Sequence, residues 1–358
     1  MGIADDERFD ALLSKSGVSL DEARGVSLDV GLVNTLKRAS FLVKCLIRSE
    51  GDAFELCVVD DLGNARLRSN GPGKMLRKLV KLNIPLDNKF SEIYKLDPYI
   101  ELAINRIVRA GLYQTYLSQG RAAQYHDAEV LLPLLNGCVD QIRQEGTGKE
   151  FQSKLNNYQR SSNKNYQELT EYVEALFERY SRLLVLRLDL GYQKQYSKTT
   201  QVEAKRDRER LFENARSNKL FGDVVGYIWK LEHGPDKGFH YHVMLFFDGS
   251  KVREDITLAC LIGKYWVDVV TKGRGLYFNC NASKWRYRKC GVGMISHADN
   301  LLREGLRNAV VYLTKTDLYM KLQTVGRGMG KGNRPLPKGS RGRPRATANG
   351  AEPLMSNE

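Results

Sequence analysis

Residues 229–247 read WKLEHGPDKGFHYHVMLFF, and three of them could bind a metal ion together. His240 and His242 flank Tyr241, and Glu232 stands eight residues before the first histidine. Alternate residues of a β-strand share a face, so the two imidazoles point the same way. Residues 233–238 (HGPDKG) carry the Gly, Pro and Asp of a reversing turn. With residue 236 near the tip, Glu232 falls opposite His240 and one rung from His242. Two imidazoles and a carboxylate leave coordination positions open, which suits catalysis better than structure. An HxH triplet can equally be a pair of core or surface histidines. Against that, the chain has only 5 histidines, and two of them sit here among Phe239, Tyr241 and Val243.

Residues 308–319 read NAVVYLTKTDLY. The run from about 299 to 322 has helical spacing, with Leu301, Leu302, Gly305, Leu306, Ala309, Val310, Leu313 and Met320 on one side. Tyr312 and Lys315 are then i and i+3 neighbours on one face. A tyrosine beside a lysine, near a divalent ion, suits attack on a phosphodiester. The metal polarises the phosphate, the phenolate attacks and the lysine offsets charge. Tyrosine ionises near pH 10, so such an attack needs positive charge close by. With 18 tyrosines in the chain, Tyr-x-x-Lys also reads as a packed tyrosine and a solvated lysine. Tyr319 follows on roughly the same face and is expected to be packed or exposed, not a second nucleophile. Asp299 reads as the helix N-cap, with His297 beside it. His233 has the wrong strand parity to join the ligands, and His126 reads as structural.

The elements that must position these residues follow from periodicity. Residues 183–190 (LLVLRLDL) read as a strand and 199–218 as a charged helix. Strands follow at 224–232 and 239–247, a helix at 252–270, short strands at 276–281 and 291–296, and then the Tyr312 helix. The order β-α-β-β-α-β-β-α suits an α+β fold, one sheet with flanking helices. A mostly helical region precedes it, with helices at 100–111, 127–143 and 166–179 and a polar, exposed stretch at 149–165. Residues 1–85 read as helix 27–48, strand 53–61, turn 62–64, residues 65–68, and basic helix 74–81 over Met75, Leu76 and Leu79. Four segments are expected: 1–85 of unknown role, 86–180 helical, 181–325 carrying the chemistry, and 326–358 a basic disordered tail.

The chain has 56 Lys and Arg against 42 Asp and Glu, a formal charge of +14 over 358 residues. That balance favours an anionic partner such as nucleic acid. Residues 284–289 (KWRYRK) alternate cations and aromatics, so Lys284, Trp285, Arg286, Tyr287 and Arg288 could clamp a single strand by charge and stacking. An exposed strand end shielded by cations is the plainer reading. Tyr227, Trp229, Tyr265, Trp266 and Tyr277 are further stacking candidates. The tail from 323 to 345 has Lys and Arg but no acid. Its RGRP at 341–344 resembles an AT-hook core, in which Arg341 and Arg343 enter a narrow minor groove. A generic basic tail is the alternative. The acidic, polar start and the lack of a long apolar run indicate neither a leader nor a membrane span. The 6 scattered cysteines form no Cys-x-x-Cys, which fits reduced thiols in a cytoplasm. No G-x-x-x-x-G-K-[ST] occurs, so a fused helicase is not expected.

Glu232, His240–Tyr241–His242 and Tyr312-x-x-Lys315, in that order, resemble the HUH endonucleases that initiate rolling-circle replication (Rep proteins). Residues 183–190 match the first Rep motif. Residues 90–325 are similar to replication proteins of filamentous phages and prophages, the inovirus gene-two-product-like (YagK/YfjJ C-terminal) family. The resemblance implies an HUH-type antiparallel sheet with Glu232, His240 and His242 holding Mg²⁺ or Mn²⁺. It implies Tyr312 as the nucleophile that forms a 5′-phosphotyrosine and frees a 3′-OH, with Lys315 assisting. Single-stranded and replication-origin DNA are the implied partners, with a host helicase as a further candidate, in a bacterial cytoplasm. A single-tyrosine transposase, or a DNA-binding regulatory protein that keeps only the fold, are the alternatives.

Overall fold

The structure is a computed structural model. It describes residues 30–58, 65–85, 87–112, 128–234, 237–287 and 289–337. The turn read at 62–64, His126, Arg288, Arg341 and Arg343 lie outside these. The chain is α+β and divides into two compact units. One is Asn165–Thr314 with the described residues from Thr324 onward; the other is the described part of Asp29–Lys164 with Lys315–Gln323.

The second unit is mainly helical: α1 Val30–Ile47, α2 Gly71–Val80, α3 Asn88–Ile93, α4 Pro98–Arg109 and α5 Ala128–Thr147. It also holds an antiparallel pair, β1 Phe54–Val58 with β2 Ala65–Ser69. The basic helix α2 buries Leu76 and Leu79 and leaves Lys74 and Lys78 exposed, a solvated face over an apolar stripe. β3 Tyr94–Leu96 pairs with β9 Met320–Leu322. That pairing corrects the helix expected to reach 322. The helix ends at Lys315 and a short 3₁₀ turn follows, because strand pairing overrides the helical periodicity beyond it. Met320 and Tyr319 are buried in this unit, off the Tyr312 helix.

A second correction concerns residues 149–165, expected to be polar and exposed. They are the first half of a continuous 31-residue helix, α6 Lys149–Arg179. Phe151, Leu155, Tyr158 and Ser162 recur at helical spacing on its buried side. The long polar stretches between them hide that stripe in the sequence.

The first unit is built on β4 Arg182–Tyr192, α7 Gln201–Ala215, β5 Val224–Gly234, β6 Gly238–Asp248, α8 Asp255–Tyr265, β7 Gly275–Asn279, β8 Gly293–Ser296 and α9 Asn300–Lys315. This is the β-α-β-β-α-β-β-α order read from periodicity. α7 opens with a reciprocal capping box between Thr200 and Glu203. Asp299 accepts the Leu302 amide at 2.9 Å and caps α9, as expected. With Met329–Lys331 as β10, the sheet runs β10-β5-β6-β4-β7, with β8 also on β4, and every pairing is antiparallel. β10 pairs with Ile228–Lys230. The tail therefore begins as an edge strand, not as disorder; residues 338–358 lie outside the description.

One face of the sheet changes character along its length. Val185, Ile228, Met244 and Phe246 pack with Leu306, Val310 and Leu313 of α9 and with Tyr172 and Leu176 of α6. Burying each such side chain contributes about 1.5–3 kcal/mol. Two residues further along β4, β5 and β6, the same face presents Arg187, Asp189, Lys230, Glu232, His242 and His240. The apolar half anchors α9, and the helix carries Tyr312 over the polar half.

The β5–β6 turn closes on Gly234 opposite Gly238. Gly238 has φ +64°, and a Cβ there would lie 2.1 Å from the Ser197 carbonyl oxygen. Gly238→Ala is therefore expected to destabilise the protein by about 2 kcal/mol or more. The midpoint of denaturant unfolding checks this; an unchanged midpoint would show that the turn does not depend on glycine.

Candidate functional site

Pairing of β5 with β6 places Glu232 opposite His240, and Lys230 opposite His242. Pairing of β6 with β4 places Asp189 on the other side of His242. Glu232, His240 and His242 are buried, and one ligand atom from each lies within 4.8 Å of the other two. The imidazole rings stand nearly perpendicular, 5.2 Å between centroids.

The hydrogen bonds fix which atoms face one another. His240 Nδ1 donates to the Gly238 carbonyl at 3.1 Å, which leaves Nε2 with its lone pair. That Nε2 is buried with no hydrogen-bond partner, and so is Oε1 of Glu232. His242 is held from both sides: Nδ1 by Asp189 Oδ1, and Nε2 by Glu232 Oε2 at 3.0 Å. Unsatisfied buried polar atoms are costly, and two on adjacent ligand-type side chains fit a cation seat. The donor set, two imidazole nitrogens and a carboxylate backed by a second carboxylate on one imidazole, matches the usual surroundings of a divalent ion. This group can hold a metal ion.

Electrostatics sort the two histidines. Burial, reinforced by the charge of His242, drives His240 down to about 4, so it is neutral and ready to ligate. Burial also opposes charge on His242, but Asp189 and Glu232 outweigh it and raise His242 to about 9. Burial likewise works against ionised Glu232 and Asp189, and the His242 cation holds both below the ordinary carboxylate range.

Tyr312 of α9 reaches this group. Its ring centroid lies 6.4 Å from that of His242, at 81°. The Arg187 guanidinium carbon sits 5.1 Å from the same ring centroid. Burial, then the negative charge of Glu232, push the Tyr312 phenol up, and Arg187 works against them. Lys315 ends α9 one turn beyond Tyr312; its side chain lies outside the described residues.

The other candidates are placed differently. Residues 284–286 belong to a 3₁₀ turn, Asn281–Arg286. Asn281 ties that turn to β4 by accepting the Arg187 amide and donating to the Val185 carbonyl, each at 2.9 Å. Lys284 pairs with Asp255 at 3.0 Å. Trp285 is 75% exposed, with the Arg286 guanidinium 4.9 Å from its ring centroid. Tyr287 is half-buried, its phenol pushed up first by burial and then by Cys280. Trp229 and Trp266 are buried, Tyr227 stacks on Phe212, and Tyr265 and Tyr277 bond to Asn214 and Cys260. His233 packs against Phe239 at 4.7 Å, away from the ligands, as its parity required. His297 is half-buried and bonds the Ser181 carbonyl.

Asp189 and Arg187 are the site residues that the sequence reading missed. Their signal was present: two charges at alternate positions of the otherwise apolar run LLVLRLDL. Charges spaced by two in a buried strand mark one polar face.

The family model for the YagK/YfjJ C-terminal domain matches residues 147–327, and the chain belongs to this family. No curated protein and no solved structure matches it. Among the described residues, no helix is long and apolar enough to cross a membrane.

Two outcomes follow for metal binding. Asp189→Asn should keep the fold and lower Mn²⁺ affinity about 10–100-fold in calorimetric titration, because His242 loses its orienting carboxylate. An unchanged affinity would remove Asp189 from the site. His242 carries a proton below about 9, and a metal must displace it. Affinity should therefore rise about tenfold per pH unit up to that value and then flatten. Titrations in buffers of different ionisation enthalpy should read about one proton released, and a pH-independent affinity would contradict this.

Proposed function

We propose that the protein is an HUH-type, metal-dependent DNA nicking and joining enzyme that works through a covalent tyrosine intermediate. One observation carries this reading: in a buried Glu232–His240–His242 group with two unsatisfied ligand atoms, the His242 ring lies 6.4 Å from the Tyr312 ring. The family membership and the charge of +14 support it.

Glu232, His240 and His242 would hold Mg²⁺ or Mn²⁺. When bound, the ion supplies Lewis-acid polarisation of a phosphate and neutralises the charge of Glu232. Tyr312 is the nucleophile. Its oxygen bonds to phosphorus, the bond from phosphorus to O3′ breaks, and the electron pair leaves on O3′. Overall, the phenol proton ends on that oxygen, giving a 5′-phosphotyrosine and a free 3′-OH. The new ester conserves the energy of the broken link, so the strand can be rejoined, which a hydrolase could not do. Asp189 keeps His242 oriented, and α9 keeps Tyr312 over the ligands through Leu306, Val310 and Leu313. Lys315 remains the candidate for offsetting charge at the phosphate.

Single-stranded DNA is the proposed substrate, with origin DNA of a phage, prophage or plasmid as its source. Exposed Trp285, with Arg286 stacked on it, offers one base a platform on a turn fixed to β4. Initiation of rolling-circle replication and single-tyrosine transposition share this chemical step; the phage-type family resemblance favours initiation.

The test is incubation of the full chain with labelled single-stranded DNA from its own replicon, with Mn²⁺ or with EDTA, followed by a denaturing gel. A slow, protease-sensitive band is expected with Mn²⁺ alone. Tyr312→Phe should abolish it and Tyr319→Phe should keep it. Adducts that survive in Tyr312→Phe would overturn the assignment of the nucleophile.

A further inference from the structure

Arg187 lies on β4, two residues before Asp189 and on the same face. The residue is 9% exposed. Guanidinium groups that deep in a protein are normally held by carboxylates, because an isolated buried charge is strongly disfavoured. This one is not. Among the described residues it makes no ion pair, and its Nε has no hydrogen-bond partner. The acid that acts on it, Asp189, has bonds elsewhere: Oδ1 to His242, Oδ2 to the Cys280 thiol at 3.6 Å. The groups around the guanidinium are Cys280, Asp189, Tyr287 and Tyr312. Its guanidinium carbon lies over the Tyr312 ring, 5.1 Å from the centroid.

The main chain holds Arg187 firmly. Its amide donates to Asn281 Oδ1, and its carbonyl accepts the Cys280 amide at 3.1 Å. A rigid strand thus presents a cation with an unused donor beside the proposed nucleophile.

We propose that Arg187 is a phosphate-binding catalytic residue, donating to a non-bridging oxygen of the scissile phosphodiester while Tyr312 attacks it. This rests on the nicking reading above and adds a charge partner on β4. Arg187 forms and breaks no covalent bond. Charge grows on the non-bridging oxygens as the bond from Tyr312 to phosphorus forms and that to O3′ breaks, and the guanidinium offsets it. The planar fork suits this job better than an ammonium does.

The experiment compares the full-length wild type with Arg187→Met and Arg187→Lys. It reads melting temperature, the stabilisation given by inorganic phosphate, and the rate of covalent adduct formation with Mn²⁺. Removing an unpaired buried charge should leave the melting temperature of Arg187→Met unchanged or raised. The phosphate-dependent shift should vanish in that variant, and its adduct rate should fall about 10²-fold. Arg187→Lys should keep part of both. A melting temperature that drops together with the adduct rate, or a phosphate shift that persists in Arg187→Met, would make Arg187 structural and overturn the proposal. The two readings separate cleanly. Equal adduct formation by wild type and Arg187→Met would sink the role of Arg187 and leave the nicking reading standing. Arg187-dependent phosphate binding with no adduct on any strand would do the reverse.

Discussion

An imidazole buried between two carboxylates is the interaction on which the site depends. His242 is fully buried, held at Nδ1 by Asp189 and at Nε2 by Glu232. The three residues sit on three adjacent antiparallel strands, so the clamp closes only if both registers are right. A slip of one residue in either pairing would turn a partner to the opposite face. Register is enforced from both ends. At the turn, Gly238 adopts a left-handed conformation against Ser197. At the other end, Val185, Ile228, Met244 and Phe246 lock into the core beneath α9.

The same constraint places Tyr312. Helix α9 has no reason to lie over a row of charges, but it buries Leu306, Val310 and Leu313 on the apolar half of that face. Tyr312 then projects over the polar half, between His242 and Arg187. Burial and Glu232 keep its phenol neutral in the metal-free protein. Under the proposed function, attack by Tyr312 would need positive charge next to Glu232 and a phosphate beside Arg187.

How much of this was legible in the sequence depends on the range of the interaction. The alignment of Glu232 with His240 is local, set by the tight turn between Gly234 and Gly238, and period-two alternation recovered it. The order of elements in the first unit was equally readable, because its strands are rich in apolar residues and separated by turn residues and helices. Asp189 was not recognised, because its partner His242 is 53 residues away and only sheet pairing joins them. The end of α9 was misplaced because Met320 continues the helical spacing, while pairing of Met320–Leu322 with Tyr94–Leu96 decides its conformation. Residues 149–165 looked exposed because Phe151, Leu155, Tyr158 and Ser162 are thinly spread among polar neighbours. Strand β10 was hidden in a Gly-rich basic segment whose pairing partner lies about a hundred residues earlier.

The most direct measurement of the central claim is electron paramagnetic resonance of Mn²⁺ titrated into the full-length protein. If Glu232, His240 and His242 form a divalent-ion seat, the free-ion signal should be lost at one equivalent. Pulsed spectra should then show hyperfine coupling to two imidazole nitrogens, falling to one in His240→Ala. A signal that stays that of free Mn²⁺, or bound Mn²⁺ without imidazole coupling, would contradict the account.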